Sequence, residues 1–353
     1  MIDTLDLRGS ALGLADQVAG AAAVAGEVSL PRLRGGLPGD GRDVTAADID
    51  NVVVLGMGGS GLAGDVLASV AGPFLSVPVV VHKGYGVPNF IDHRTLVFAV
   101  SFSGDTEETV EAAGLALEAG AQFVAVARGG ALGALADEAG APMVPVADGI
   151  PMPRAGVGAV SIPPMVLLER MGMFPGAGTW IDLAVDQLRR RAEQLATSPS
   201  PASRLAESIG RCFPLVYGGG GVGSVAAVRF KNQVNENAKA PAFANVHPEL
   251  CHNELAGWGQ GGDITRQVLH LVNFRHDFEH PQIGRRFDLV SEILAEVTAG
   301  SSEVVAEGEG PLAQLFDLVL VGDIASLDLA AAEGVDPGPV PMLMQLKAAL
   351  AVD

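Results

Sequence analysis

The sequence predicts an α/β fold of two domains, each a parallel β-sheet flanked by helices on both faces. Three observations predict it. Short Val-rich apolar runs alternate with helical or glycine-rich segments, the pattern of strands joined by right-handed crossovers that cover a parallel sheet on both sides. A unit of strand, glycine turn and helix occurs at 52–67 and again at 214–230, roughly 160 residues later, as expected for two copies of one architecture. A chain of 353 residues is too long for one small core and long enough to bury two.

Each element follows in order. Residues 5–28 carry apolar side chains at helical spacing among many alanines and predict a leading helix, while 31–48, rich in Gly, Pro and charge, predicts a connector. A strand at 51–56 breaks into GMGGSGLAGD and a helix through Val70, and further strands are expected at 77–82, 96–101, 122–127 and 142–146. Residues 151–154 interrupt the alternation. Helices at 160–171 and 180–195 lead to the loop TSPSPAS, which marks a domain boundary. The expected division is 1–48 for the leading helix and connector, 49–195 for the first domain and 196–353 for the second. In the second domain, strands are expected at 214–218, 268–274, 302–306 and 318–321, and Pro339 and Pro341 precede a closing helix at 342–352.

Composition narrows the function. With 48% hydrophobic residues and a mean hydropathy of +0.34 the chain is globular. Its two cysteines, Cys212 and Cys251, form no disulfide framework and suit a reducing cytosol. Residues 1–9 contain Asp3, Asp6 and Arg8 rather than the basic start and apolar stretch of a signal peptide, and no apolar run approaches a membrane span, so a cytoplasmic protein without a membrane partner is expected. A net charge of −19 argues against nucleic acid, whose binding needs Lys and Arg to neutralise phosphates. It also mildly opposes an anionic metabolite. A phosphate site must then be local, made of backbone amides, hydroxyls and a few chosen cations.

SFSGDTEET, residues 101–109, is the natural place for such a site. It joins an apolar run to a helical segment, so the hydroxyls of Ser101, Ser103 and Thr106 gather where backbone amides and the helix dipole attract an anion, and Gly104 allows close approach. The competing reading is an ordinary helix cap, since Ser or Asp ahead of Glu also makes a capping box. Gly56, Gly58 and Gly61 satisfy G-x-G-x-x-G after a strand, which alone suggests a dinucleotide. That reading wants an acidic residue closing the second strand, where His82 and Lys83 stand instead.

The second half concentrates its titratable side chains in RFKNQVNENAKAPAFANVHPELCHNELAGW, residues 229–258. Glu236 lies between Asn235 and Asn237 with Lys239 close by, and His247, Glu249, His252, Asn253 and Glu254 follow a short apolar run. A carboxylate near a histidine suits proton transfer at carbon, one group taking the proton while another handles the neighbouring oxygen. Either histidine could instead be a satisfied structural residue. Metal binding is disfavoured, because His247 and His252 are five residues apart with Pro248 between them, not the i, i+4 pair of a helical zinc site.

Taken together, GMGGSG, SFSGDTEET, PRAG at 153–156, KNQVNENAK, PELCHNELAGW, DIASLDLAAAEGVDPGPVP and the Leu346–Lys347 pair resemble the bifunctional phosphoglucose/phosphomannose isomerase family. Its members consist of two sugar isomerase (SIS) domains. The resemblance implies an isomerase that interconverts fructose 6-phosphate with glucose 6-phosphate and/or mannose 6-phosphate through a cis-enediol, with no cofactor and no metal. It implies that the hexose phosphate group sits on Gly58, Gly59 and Ser60 with Ser101, Ser103 and Thr106. By the same carry-over Arg154 stabilises the enediolate, Glu236 shuttles the proton between C1 and C2, Lys347 reaches in from the last helix, and His252 opens the ring from the other subunit of a homodimer with a shared active site. Arg154 and Lys347 rest on the resemblance alone, and solvated surface charge is the plain alternative for both.

One departure stands out. Family members associated with mannose 6-phosphate carry a threonine in the approach to the terminal lysine, whereas 335–346 contains no hydroxyl residue and Gly338 occupies the corresponding place. Acceptance of both epimers is thereby put in question. Two other readings are weaker. A non-catalytic sugar-phosphate sensor would have no need of the Glu, His, Arg and Lys set, and the isomerase half of a glutamine-dependent amidotransferase would want a glutaminase domain with a catalytic Cys near its start.

Overall fold

The computed structural model describes residues 2–30, 33–34, 43–44 and 46–350. The chain divides into two compact units, one of residues 14–187 and 309–313, the other of residues 1–13, 188–308 and 314–353. Each contains one parallel sheet.

The first unit begins with helix α2 (Leu14–Glu27), whose Leu14 and Val18 pack against Gly158 of α6 (Val157–Arg170). A two-residue antiparallel pair, β1 (Leu33–Arg34) and β2 (Asp43–Val44), and a short turn at Ala46–Asp48 are what the described residues show of the connector expected at 31–48, most of which lies outside them. The sheet comprises β3 (Asn51–Leu55), β4 (Val79–His82), β5 (Thr95–Ser101), β6 (Gln122–Ala127) and β7 (Met143–Pro145), in spatial order β4-β3-β5-β6-β7 with every pairing parallel. All residues of β5 and β6 are buried. That is why these strands read as continuous apolar runs rather than as alternating ones. Helices α3 (Gly58–Val70), α4 (Glu107–Glu118) and α5 (Gly130–Ala139) supply the crossovers.

The second unit repeats the plan. Strands β8 (Phe213–Gly219), β9 (Phe243–His247), β10 (Leu269–Arg275) and β11 (Gly300–Val305) lie in the order β11-β10-β8-β9, again all parallel. In both sheets the first strand lies between the second and the third, so the connections leave in opposite directions from two neighbouring strands. Ligands of open α/β sheets bind at such a switch point, beyond the carboxyl ends of the strands. In the first sheet it falls between β3 and β5.

Two expectations are corrected. The leading helix is two helices, α1 (Leu7–Leu12) and α2, because Gly13 closes α1 with its N–H on the carbonyls of Ala11 and Gly9. Residues 318–321, read as a strand, belong to α12 (Pro311–Ala332). The run LVLV is apolar because this part of the helix is buried on all sides, and a short apolar run does not reveal its own period. The short apolar run ahead of the second group of titratable residues forms β9. The closing helix α13 spans Pro341–Leu350, and the last two residues expected in it lie outside the described ones.

Helix α12 is held in its unit by two buried ion pairs. Arg191 of α7 (Ala177–Leu195) donates to both oxygens of Asp317 at 2.7 and 2.8 Å, and Arg229 of α9 (Gly220–Gln233) donates to those of Asp323 at 3.0 and 2.8 Å. These fork-on-carboxylate bonds fix which face of an otherwise apolar helix meets which neighbour.

Candidate active site

At the switch point of the first unit three turns meet. The glycine turn 56–60 follows β3. Gly58 has φ +51°, a left-handed value that lets α3 begin abruptly, and Met57 ahead of it places no side chain on the first-turn amides. The 101–106 turn follows β5. Thr106 makes no capping bond to α4; its Oγ1 lies 2.9 Å from Ser101 Oγ, which also accepts from Gly104 N at 3.1 Å. The helix-cap reading of SFSGDTEET therefore fails, and the first-turn amides of both helices are left to another acceptor. The turns are stitched together by the amide of Phe102, which donates to Ser60 Oγ at 3.0 Å. Ser103 is exposed, and its Oγ accepts from Asp105 N at 3.2 Å.

The third turn, Pro153–Ala155, brings Arg154 to the same place. A Cβ on Gly59 would stand 3.3 Å from Pro153 O and 3.6 Å from Arg154 Cα, so the absence of a side chain at 59 is what lets the arginine turn lie on the glycine turn. Arg154 is 5% exposed, which removes the surface-charge alternative for it. Gly156 in turn lies on the ring of Phe102. Gly58, Gly59, Ser60, Ser101, Ser103, Thr106 and Arg154 are thus neighbours inside one unit.

One residue that sequence reasoning passed over ties this group together. Arg128, just beyond β6, stacks its guanidinium 4.2 Å from the centre of the Phe102 ring and donates to Ala147 O at 3.1 Å and Ile150 O at 2.7 Å. It links the 101–106 turn to the segment that delivers Arg154. No motif marks it, since only the fold brings those carbonyls within reach.

The second unit carries Glu236 on a single π-helical turn, Val234–Ala238, at the end of α9. Such turns cost regular hydrogen bonding and recur at functional sites. Here the neighbouring polar residues hold it open. Asn235 Nδ2 donates to Ala240 O at 2.9 Å, Asn237 Nδ2 donates to Ser326 Oγ at 2.9 Å, and Lys239, itself left-handed at φ +57°, donates to the carbonyls of Glu236 and Pro337. The Asn-Glu-Asn-Lys density seen in sequence is therefore mostly scaffold around one half-buried carboxylate.

The two histidines differ in burial. His247, at the end of β9, is 2% exposed and lies among Tyr217, Phe287 and Cys251, with its ring centre 4.2 Å from that of Phe287. Burial first, then the Arg286 and Arg275 charges, push its pKa down to about 4, so it is a neutral core residue. His252 is exposed, at the end of a short 3-10 turn, Glu249–His252, and is free to meet a ligand. Lys347 lies on α13, none of whose residues is buried. Position 338 is not empty of hydroxyls either: a Cβ there would stand 3.2 Å from Thr4 Oγ1, which donates to Asp336 Oδ2 at 2.7 Å.

The equivalent switch point of the second sheet, between β8 and β10, is closed. His276 Nε2 donates to Gly219 O at 2.7 Å and its Nδ1 accepts from Phe278 N at 3.2 Å, which fixes a neutral tautomer across the glycine turn. Burial depresses its pKa, in keeping with that state. Ile283 and Phe287 fill the space above Gly219. Of the two switch-point turns, the one in the first sheet is left open among the described residues.

Residues 47–141 match the SIS domain family, and residues 198–350 match the bacterial phospho-glucose isomerase C-terminal SIS domain. A bifunctional phosphoglucose/phosphomannose isomerase of Caldicellulosiruptor bescii is 34% identical over 316 residues, covering 88% of this chain and 92% of the relative. The chain belongs to the bifunctional phosphoglucose/phosphomannose isomerase family. Further relatives of that name occur in Thermoplasma acidophilum, 31% identical over 84% of this chain and 88% of the relative, and in Aquifex aeolicus, 30% identical over 84% and 89%. The fold extends beyond the family. The C-terminal domain of glucosamine-fructose-6-phosphate aminotransferase from Francisella tularensis superposes with a TM-score of 0.69 over 94% of this chain and 97% of that one at 14% identity, a likeness of fold alone. Among the described residues no helix is long and apolar enough to cross a membrane.

Proposed function

We propose that the chain interconverts fructose 6-phosphate with glucose 6-phosphate and/or mannose 6-phosphate through a cis-enediol, working as a cytoplasmic homodimer with a shared active site. Residues 49–195 and 196–353 act in this reading as the two SIS domains. The observation that carries it is the meeting of two uncapped helix starts with a buried arginine in one unit. The phosphate rests on the amides and hydroxyls of Gly58, Gly59, Ser60, Ser101, Ser103 and Thr106, and this remote grip holds the reacting carbons in register. His252 of the second subunit opens the ring. Glu236 takes the proton from C1 or C2 and returns it to the adjacent carbon, while Arg154 stabilises the oxyanion of the enediolate and Lys347 adds a second cation.

Glu236→Gln tests the assignment. It preserves shape but removes the base, so turnover of fructose 6-phosphate should fall by about three orders of magnitude while hexose phosphate binding stays within a few-fold. Turnover surviving in that variant sinks the assigned base. Wild-type assays on the fructose, glucose and mannose esters side by side read the epimer scope.

A further inference from the structure

Glu254 has no part in the chemistry above, yet its carboxylate is gripped from two strands. Tyr217 of β8 and Asn245 of β9 are register partners and so project from the same face of the sheet. The Tyr217 hydroxyl donates to Glu254 Oε1, and Asn245 Nδ2 donates to Oε2 at 2.7 Å. Asn245 is itself oriented, because its Oδ1 accepts from Val246 N at 2.8 Å. Tyr217 is fully buried, and burial together with the Glu254 charge keeps the phenol protonated, a donor only toward the carboxylate. Both partners are donors, and only a carboxylate presents acceptors to both.

The grip is passed directly to His252. Glu254 opens a second short turn, Glu254–Gly257, and its amide donates to Asn253 Oδ1 at 2.6 Å, while Asn253 Nδ2 donates to Glu249 Oε1 at 2.8 Å. Asn253, at φ −144° and ψ −70°, is the joint between this turn and the one that ends at His252. On the far side, Leu250 is fully buried in the core of Tyr217 and Phe287. The backbone of His252 is thereby pinned before and after, while its imidazole remains exposed.

We propose that Glu254 is a positioning residue for His252, acting through the Tyr217–Asn245 fork and the Asn253 joint. The proposal rests on the reading of His252 as the ring-opening group. In that step the bond between the anomeric carbon and the ring oxygen breaks, the anomeric hydroxyl becomes the carbonyl, and its proton moves by way of the imidazole to the ring oxygen. No proton is lost overall. A histidine that must reach two oxygens in turn needs a fixed backbone, which an exposed loop does not have unless something anchors it.

The test uses the full-length protein and four variants: Glu254→Gln, Tyr217→Phe, His252→Ala and the double variant Glu254→Gln/His252→Ala. Two readouts are taken. One is turnover of fructose 6-phosphate, whose ring must open; the other is wash-in of deuterium from D2O at C1 of 5-deoxyfructose 6-phosphate, which cannot close a ring. Each of the first two variants should lower turnover about tenfold with KM unchanged and leave the deuterium wash-in within about twofold. In the His252→Ala background, Glu254→Gln should cost nothing more. Tyr217→Phe, which keeps the ring in the core, carries the test if Glu254→Gln fails to fold. Losses that multiply in the double variant, or an equal loss on the acyclic ester, overturn the positioning role while leaving His252 in place. Full turnover by His252→Ala overturns the ring-opening assignment and this role with it.

Discussion

At Gly104 the backbone stands at φ +88°, and a Cβ would lie 1.8 Å from Gly129 O. The glycine is thus demanded twice, by conformation and by contact. Gly104→Ala should destabilise the protein by more than about 2 kcal/mol and deform the 101–106 turn proposed to hold phosphate, read as a lower melting temperature with weakened substrate binding. A variant that melts and binds like the parent would mean the turn has room that its geometry denies. His247 makes a different prediction. Its pKa falls from 6.5 in the unfolded chain to about 4 in the folded one, so the unfolded state holds more protons between those values. Stability is then complete above the unfolded pKa and declines as pH falls toward 4, by roughly 3 kcal/mol from this group. His270 and His276, also depressed by burial, act in the same sense. Urea midpoints measured from pH 7.5 to 4 should fall less steeply in His247→Gln than in the parent; identical slopes would remove His247 from the acid response.

Among elements, the turns after β3 and β5 and the segment from Ala147 to Arg154 form one assembly, and Arg128 is its bolt. Arg128→Leu leaves the Phe102 ring covered but strips the donors from two carbonyls. Arg154 should lose its register, so kcat is expected to fall about tenfold while phosphate binding by the hydroxyl turn changes less. A rise in KM with kcat intact would show instead that Arg128 serves phosphate binding. Much of this level was legible beforehand. The parallel strands, both glycine turns and the SFSGDT turn are local patterns, and the buried strands announced themselves as apolar runs. Leu318 to Val321 was not legible, because a helix enclosed on every side and a buried strand present the same composition. Nor was the role of Asn235, Asn237 and Lys239, which their chemistry suggests for proton transfer and their bonds assign to holding a π-turn.

For the whole molecule, a net charge of −19 confronts a dianionic sugar phosphate. In the proposed site, amides, hydroxyls and Arg154 offset this field locally. Because added salt screens the long-range repulsion more than contacts inside the site, kcat/KM should rise a few-fold between about 10 and 150 mM ionic strength, the reverse of a steered, oppositely charged pair. A fall over that range would mean that local cations, not the overall charge, govern approach.

By itself the sequence determined the α/β class, the duplicated strand-glycine-helix plan and the residue types at the 101–106 turn, since each depends on periodicity and on backbone freedom written over a few neighbouring positions. It could not decide which of two similar glycine turns stays open, which of two histidines is core, or what holds the loop of His252. Those answers came from pairings between residues far apart in the chain: His276 across Gly219, Phe287 against His247, and the Tyr217–Asn245 fork on Glu254. Burial and hydrogen-bond partners are properties of the packed structure, and they are what turned equivalent residue types into different roles.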